Sequence, residues 1–149
     1  MLIRPGNILI DNEFRAKIAD FGLAREFSDK GFVLFPSNQS IDGTPLYKAP
    51  EACSETNRAL TTKADLYALG LIYFEVLSGF QTMHEKYKSI KDLNTYKLLS
   101  DDFEYCFPQE SQLIKSLIVD DPFSRPSCQE IYESVSYIEL EQLFRTKVS

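Results

Sequence analysis

The stretch TKADLYALGLIYFEVLSG, Thr62–Gly79, decides the fold. Its apolar residues do not keep to one stripe, and a helix that is apolar almost all round belongs inside a protein, with neighbours on every side. Thr62 followed by Asp65 has the spacing of a capping box, in which each side chain bonds a free backbone N–H of the first turn. Gly79 suits the left-handed residue that ends a helix. The near-continuous apolar run Leu66–Phe74 is flanked by Asp65 and Glu75. It is far short of the roughly 20 residues that span a bilayer. The spacing therefore predicts a central helix over about 62–77 of a water-facing domain.

Downstream of this helix, amphipathic segments are predicted over about 84–99, 109–119, 127–135 and 137–146, punctuated by Asp121-Pro122 and Arg125-Pro126. Upstream, residues 7–19 read as a hairpin. Asn7-Ile8-Leu9-Ile10 is apolar and β-prone, and Asp11-Asn12-Glu13 supplies a turn. Phe14, Ala16 and Ile18 then alternate with Arg15, Lys17 and Ala19 as in a half-buried strand. Residues 20–49 mix glycine, proline and polar residues, which predicts a long loop with little regular structure.

Composition sets outer bounds. Of 149 residues, 44% are hydrophobic and 26% charged, which excludes wholesale disorder, collagen-like sequence and a disulfide scaffold. Lys plus Arg total 16 against 22 Asp plus Glu, a net charge of -6 that argues against direct nucleic-acid binding. The N-terminus lacks the pattern of a signal peptide. With no membrane element either, the expected location is the cytoplasm. Cys53, Cys106 and Cys128 have no metal-ligand spacing and are expected to be inert buried thiols. His84 is the single histidine, which leaves little scope for histidine triads or multi-histidine metal sites.

The motifs in order are Arg4-Pro5-Gly6-Asn7, Asp20-Phe21-Gly22 after the second strand, Gly43-Thr44-Pro45-Leu46-Tyr47, Ala49-Pro50-Glu51, Asp65 and Gly70 in the central helix, and Arg125. Together they resemble a eukaryotic protein kinase, with its catalytic loop, Asp-Phe-Gly, activation segment, Ala-Pro-Glu and late arginine. The resemblance implies a mainly α fold: the C-terminal lobe of a kinase with a small β-hairpin, a long activation loop and about five helices. It divides the chain into a catalytic-loop end (1–7), the hairpin (7–19), an activation segment (20–51) and a helical part (52–146), with the N-terminal lobe absent.

The family roles follow residue by residue. Asn7 and Asp20 would bind magnesium, a cation that prefers oxygen ligands and keeps several waters, and ATP would be the phosphate donor. Gly22 belongs to the metal-binding turn. Glu51 and Arg125 would form a buried ion pair anchoring the activation segment. Asp65 would cap its helix and bond the catalytic-loop backbone. Thr44 would touch the catalytic loop and the substrate hydroxyl, in a loop that looks like that of serine/threonine kinases. Phe80-Gln81-Thr82-Met83-His84-Glu85-Lys86 and then Asp92-Leu93 resemble the substrate-docking stretch of kinases of translation initiation factor 2, alpha subunit. In that stretch Asn94 replaces an arginine, and Tyr67 stands where many kinases carry Trp. Thr82 is the expected substrate contact, and a protein substrate or partner would dock along 82–99.

The same alignment shows departures. In His-Arg-Asp-Leu-x-x-x-Asn the catalytic Asp precedes the Asn by five places, and five before Asn7 is Leu2, which cannot accept a proton. The family arginine falls on Met1, and Arg4 stands in the catalytic-loop lysine position with a different charge geometry. No Gly-rich loop or strand lysine is present. The chain alone is expected to be inactive, as a truncated serine/threonine kinase domain. A kinase-derived binding module (pseudokinase) or a degenerate remnant are the alternatives. Without upstream helices, a face drawn from Leu66, Leu69, Tyr73 and Leu77 should be exposed, so a marginal or partner-bound chain is expected. Ser28, Ser37 and Ser40 of the loop are expected to be simply solvated, and Gln39 occupies the family's usual threonine position before Gly43. Nothing in the sequence indicates an oligomeric state.

Overall fold

The computed structural model describes residues 3–19, 33–35, 45–53 and 58–134. Strand β1 (Ile8–Ile10) pairs antiparallel with β2 (Ala16–Ile18), and β3 (Val33–Phe35) with β4 (Arg58–Leu60). The helices are α1 (Pro50–Cys53), α2 (Lys63–Ser78), α3 (Met83–Tyr96), α4 (Asp101–Cys106), α5 (Pro108–Leu117) and α6 (Cys128–Ser134). Single 3-10 turns lie at Pro5–Asn7, Pro45–Tyr47 and Pro122–Ser124.

Helix α2 is the centre, as its composition requires. Ala64, Leu66, Tyr67, Ala68, Leu71, Ile72 and Phe74 are all buried. All but Leu66 share one core cluster with Ile90 and Leu93 of α3, Ile114 of α5 and Ile118 just after it. Gly79 ends α2 in the left-handed conformation, φ 59°. Gly70 lets α5 approach: a Cβ there would lie 2.9 Å from both Ile118 Cγ2 and Leu117 Cβ. Phe80, Phe74, Phe103 and Phe107 form a chain of rings with centroids 5.0–5.7 Å apart.

The helix start differs from the capping box. Thr62 is already in the helical region (φ -56°, ψ -19°) and makes no side-chain cap bond. A capping side chain needs the extended backbone of a true N-cap to reach forward. Thr61 Oγ1 instead accepts from the Lys63 amide at 3.2 Å, and the Asp65 carboxylate accepts from the Ile3 amide. The expected bare face is also narrower than predicted. Leu66 is buried, Tyr73 and Leu77 are half-buried, and Leu69 is 37% exposed. Val76, on the same helix, is exposed.

Helix α4 was not anticipated. Ser100 caps it by accepting from the Phe103 amide at 3.3 Å, and Phe103 joins the ring chain. The predicted helices at 84–99, 109–119 and 127–135 correspond to α3, α5 and α6. The one expected at 137–146 lies outside the described residues.

The hairpin forms with Ile8 opposite Ile18 and Ile10 opposite Ala16. Its turn is organised by Asp11, whose Oδ1 accepts from the Glu13 and Arg15 amides at 2.9 Å each. Asp11 Oδ2 pairs with Arg15 Nε and Lys17 Nζ at 3.0 Å. Contrary to the half-buried reading, every residue of β2 is exposed, because the described residues offer no layer to cover it. The long loop is also less irregular than expected: β3 returns to pair with β4 across the chain. The three cysteines correct a further expectation, since Cys53, Cys106 and Cys128 are all exposed. They sit at or near the ends of short helices rather than on core faces. Among the described residues no helix is long and apolar enough to cross a membrane.

Candidate functional site

Three polar assemblies lie along α2, two at its N-terminal end and one that reaches Glu75 near its C-terminal end. The first joins the segment that ends at Asn7 to the hairpin. Asn7 is 4% exposed. Its amide donates to Arg4 O at 2.9 Å, its carbonyl accepts from Ala19 N at 2.7 Å, and its side-chain Oδ1 accepts from Arg4 Nε at 3.0 Å. The oxygen is thereby oriented and keeps a second lone pair. Asp65 Oδ1 accepts from the Ile3 amide at 3.1 Å, so α2 holds the segment leading to Asn7. Burial pushes the Asp65 carboxyl above its usual range, only partly offset by that bond.

The second assembly surrounds Arg125. Its side chain is fully buried, and all five guanidinium donors are used. Nη1 donates to Glu51 Oε1 at 2.6 Å and Lys63 O at 2.9 Å. Nη2 donates to Glu51 Oε2 at 2.8 Å and Asp120 O at 3.0 Å. Nε donates to Val119 O at 2.9 Å. The guanidinium also lies 4.8 Å from the centroid of the Tyr67 ring. A planar fork with five donors suits this pocket in a way an ammonium could not.

The third assembly ties α3 to the turn Pro45–Tyr47. Tyr47 is buried, and its hydroxyl donates to Glu75 Oε2 at 2.7 Å. Lys86 Nζ of α3 pairs with Glu75 Oε1 at 2.8 Å. Burial, and then the Glu75 carboxylate, push the Tyr47 hydroxyl well above its ordinary range. Further along α3, Asn94 Nδ2 donates to Leu46 O at 3.5 Å, while its Oδ1 accepts from the Tyr67 hydroxyl. Lys97 reaches that hydroxyl and pairs with Asp120 at 3.1 Å. The turn is thus held at both ends of one helix.

Thr82 is exposed at the start of α3. Its Oγ1 accepts from the Glu85 amide at 3.1 Å, and Glu85 Oε2 accepts from Gln81 N at 3.2 Å. Here the capping geometry absent at Thr62 is made, because Thr82 is extended (φ -128°, ψ 152°). Thr82 therefore has a structural task whatever else it touches.

Of the residues singled out from the sequence, the structure gathers Arg4, Asn7 and Asp65 near the hairpin, joins Glu51 to Arg125, and places Thr82 at the helix cap. Leu2, Asp20, Gly22 and Thr44 lie outside the described residues, as do Ser28, Ser37, Gln39 and Ser40. Among the described residues no three His, Cys, Asp or Glu side chains cluster as a metal site. Asn7 alone offers a buried, oriented amide oxygen, a donor type that fits a hard cation such as magnesium.

Sequence reasoning missed the Tyr47–Glu75–Lys86 and Tyr67–Asn94–Lys97 groups. Glu75 carried a signal: a carboxylate inside an otherwise apolar helix needs a partner. Tyr67 and Asn94 were noticed as substitutions, without any indication that they meet.

The sequence matches the protein kinase domain family over residues 3–137. It is 36% identical over 148 residues to eIF-2-alpha kinase GCN2 of Schizosaccharomyces pombe, covering 89% of this chain and 9% of that protein. It is 31% identical over 166 residues to the probable serine/threonine-protein kinase ifkB of Dictyostelium discoideum, covering 89% and 12%. It is 29% identical over 147 residues to eukaryotic translation initiation factor 2-alpha kinase 3 of Rattus norvegicus, covering 93% and 13%. The chain thus spans only about a tenth of the length of these relatives. A mainly helical core around α2, a small hairpin leading into it, the Glu51–Arg125 clasp and the matched span agree: the chain belongs to the protein kinase family and corresponds to part of the larger, C-terminal lobe.

Proposed function

We propose that these residues form the substrate-binding part of a serine/threonine kinase whose substrate is a translation initiation factor. The joint between the turn Pro45–Tyr47 and α3 is the observation that supports this most directly. It gives the loop after Thr44 and the helix beginning at Thr82 one fixed relation, which a protein substrate touching both would need. The relatives' names supply the substrate class. In this reading residues 1–7 end the catalytic loop, 20–51 are the activation segment, and 52–146 carry the docking surface.

Magnesium, when bound with ATP, would neutralise charge on the phosphates. Asn7 would hold it through Oδ1, together with Asp20, while Arg4 keeps the Asn7 amide turned. Thr44 would meet the substrate hydroxyl and Thr82 the docked face. Leu2 cannot take a proton from that hydroxyl, so these 149 residues alone transfer no phosphate.

The second reading is a kinase-derived binding module without catalysis, and Leu2 in the catalytic Asp position favours it. Two measurements separate them. Translating the DNA upstream of Met1 should reveal a His-Arg-Asp and a Gly-rich loop if the first reading holds; stop codons in every frame sink it. The product of the complete reading frame should then phosphorylate the alpha subunit of the initiation factor, and Asp20→Ala should abolish that.

A further inference from the structure

We propose that Lys97 is a positioning residue: acting through Tyr67 and Asn94, its ammonium sets the orientation of the turn Pro45–Tyr47. The inference rests on the reading of that turn as a substrate contact, and adds the residue that fixes it.

The first sign is in the backbone. Lys97 ends α3 in the left-handed conformation, φ 57° and ψ 25°. Glycine takes this conformation at least cost, asparagine next, and these are the usual residues at such a helix end. Gly79 fills the equivalent place after α2. A lysine here carries a steric penalty that ending the helix does not require. Its side chain also turns back toward the protein, with only 26% of it exposed.

What the side chain does there is directional. An ammonium donates and never accepts. Lys97 Nζ donates to the Tyr67 hydroxyl, which therefore spends its own proton elsewhere, on Asn94 Oδ1. Burial pushes the Tyr67 hydroxyl above its ordinary range, so the proton stays on it. Lys97 Nζ also donates to Asn94 Oδ1 at 3.4 Å. With two donors on that oxygen, the carboxamide has one orientation, and Asn94 Nδ2 faces the Leu46 carbonyl at 3.5 Å. Flipped, it would set N–H groups against the ammonium and an oxygen against the carbonyl. The bond from the Tyr47 hydroxyl to Glu75 holds the tip of a side chain. The Asn94 contact holds the backbone, at the peptide between Leu46 and Tyr47.

Lys97 is itself anchored by Asp120, 3.1 Å away, and the Asp120 carbonyl accepts from Arg125 Nη2 at 3.0 Å. Lys97 and Arg125 both lie against the Tyr67 ring, 4.7 and 4.8 Å from its centroid. The orientation of the turn is thus referred to the Glu51–Arg125 pair. A tryptophan at position 67 would break this chain of bonds, because an indole N–H donates only and has no acceptor for the ammonium. Tyr67 and Lys97 work as a set.

The test is NMR of the full 149-residue chain, reading the Leu46 carbonyl carbon and the two Asn94 side-chain amide protons. Lys97→Gly relieves the backbone and removes the ammonium. It should move the Leu46 carbonyl upfield, as a lost hydrogen bond does, and shift both Asn94 protons toward the values of an exposed asparagine. Tyr67→Phe should reproduce both shifts, and Lys97→Gly added to it should change little more, because the two residues act through one path. Lys17→Met, which removes the same charge on the hairpin, should leave these signals in place. Circular dichroism verifies the fold of each variant. Unchanged Leu46 and Asn94 signals in Lys97→Gly would reduce Lys97 to a helix end and overturn the proposal, as would shifts that add fully to those of Tyr67→Phe. In the product of the complete reading frame, Lys97→Gly should raise KM for the protein substrate and leave KM for ATP unchanged; an equal rise in both overturns the positioning role. The NMR measurement involves no phosphoryl transfer, so it decides on Lys97 even if that product proves inactive and the kinase reading fails.

Discussion

Arg125 and Glu51, 74 positions apart, meet through two parallel N–H···O contacts of 2.6 and 2.8 Å. The three remaining donors of the guanidinium are taken by backbone carbonyls. Breaking a buried pair by removing one partner costs about 3–5 kcal/mol, because the other charge is stranded. Arg125→Ala and Glu51→Ala should each lower the unfolding free energy by that order, read as a lower denaturant midpoint at unchanged slope. Arg125→Lys should rescue little, since an ammonium cannot reproduce the fork. A lysine variant close to wild type in a urea titration contradicts this account.

Gly70→Ala tests the contact between α2 and α5. Alanine gains about 1 kcal/mol of helix propensity over glycine. Against that, the added methyl would sit 2.9 Å from Leu117 Cβ, an atom fixed to its backbone, and from Ile118 Cγ2. Overpacking typically costs about 1–3 kcal/mol. The net effect should be destabilising, and a rise in melting temperature would show that the helices part more easily than their packing implies.

The link from Tyr47 through Glu75 to Lys86 should behave as one unit. Tyr47→Phe and Lys86→Met each remove one partner of a largely buried carboxylate. A double-mutant cycle between them should give a coupling energy of about 0.5–3 kcal/mol. Additive effects would mean that Glu75 serves the two groups independently.

Thr82→Ala should cost about 1 kcal/mol through loss of the cap, and Thr82→Ser should restore it. Substrate binding lost in Thr82→Ser as well, with stability retained, would separate docking from capping.

How much of this was legible beforehand depends on range. The central helix could be read because its evidence is local: eighteen consecutive residues, apolar on all sides, closed by Gly79. Helix α3 was legible for the same reason. Helix α4 was not, because six residues hold less than two turns and its placement depends on Phe103 reaching Phe74. The β3–β4 pair escaped notice because three-residue strands brought together across the chain leave no periodic trace. Glu51 and Arg125 could be related only through a family pattern, since nothing in their spacing brings them together. The cysteines misled because a preference for burial is an average over residues, and helix ends are where it fails.

Acid should loosen the hairpin late. The Arg15 amide, and then the Lys17 ammonium, hold the Asp11 carboxyl well below its ordinary value of 3.8. A depressed folded value stabilises the hairpin above the unfolded value, and that contribution is lost as pH falls through the folded one. The Glu13 and Arg15 amide shifts should therefore stay native through pH 3.8 and move only in stronger acid. Asp11→Asn should remove the transition, and movement centred near 4 would contradict it.

The Glu51–Arg125 contact also turns the stretch between them into a closed circuit. Helices α2 to α5 all lie within it and α1 carries one of its closing residues, whereas the first hairpin and α6 lie outside. A chain closed this way cannot shed α3 or α4 from a free end; those helices can only loosen within a tethered loop or when the clasp opens. The segments outside carry no such constraint. Under mild denaturant the first hairpin should exchange its amide protons through private fraying, while α2 and α5 exchange together in a single opening event.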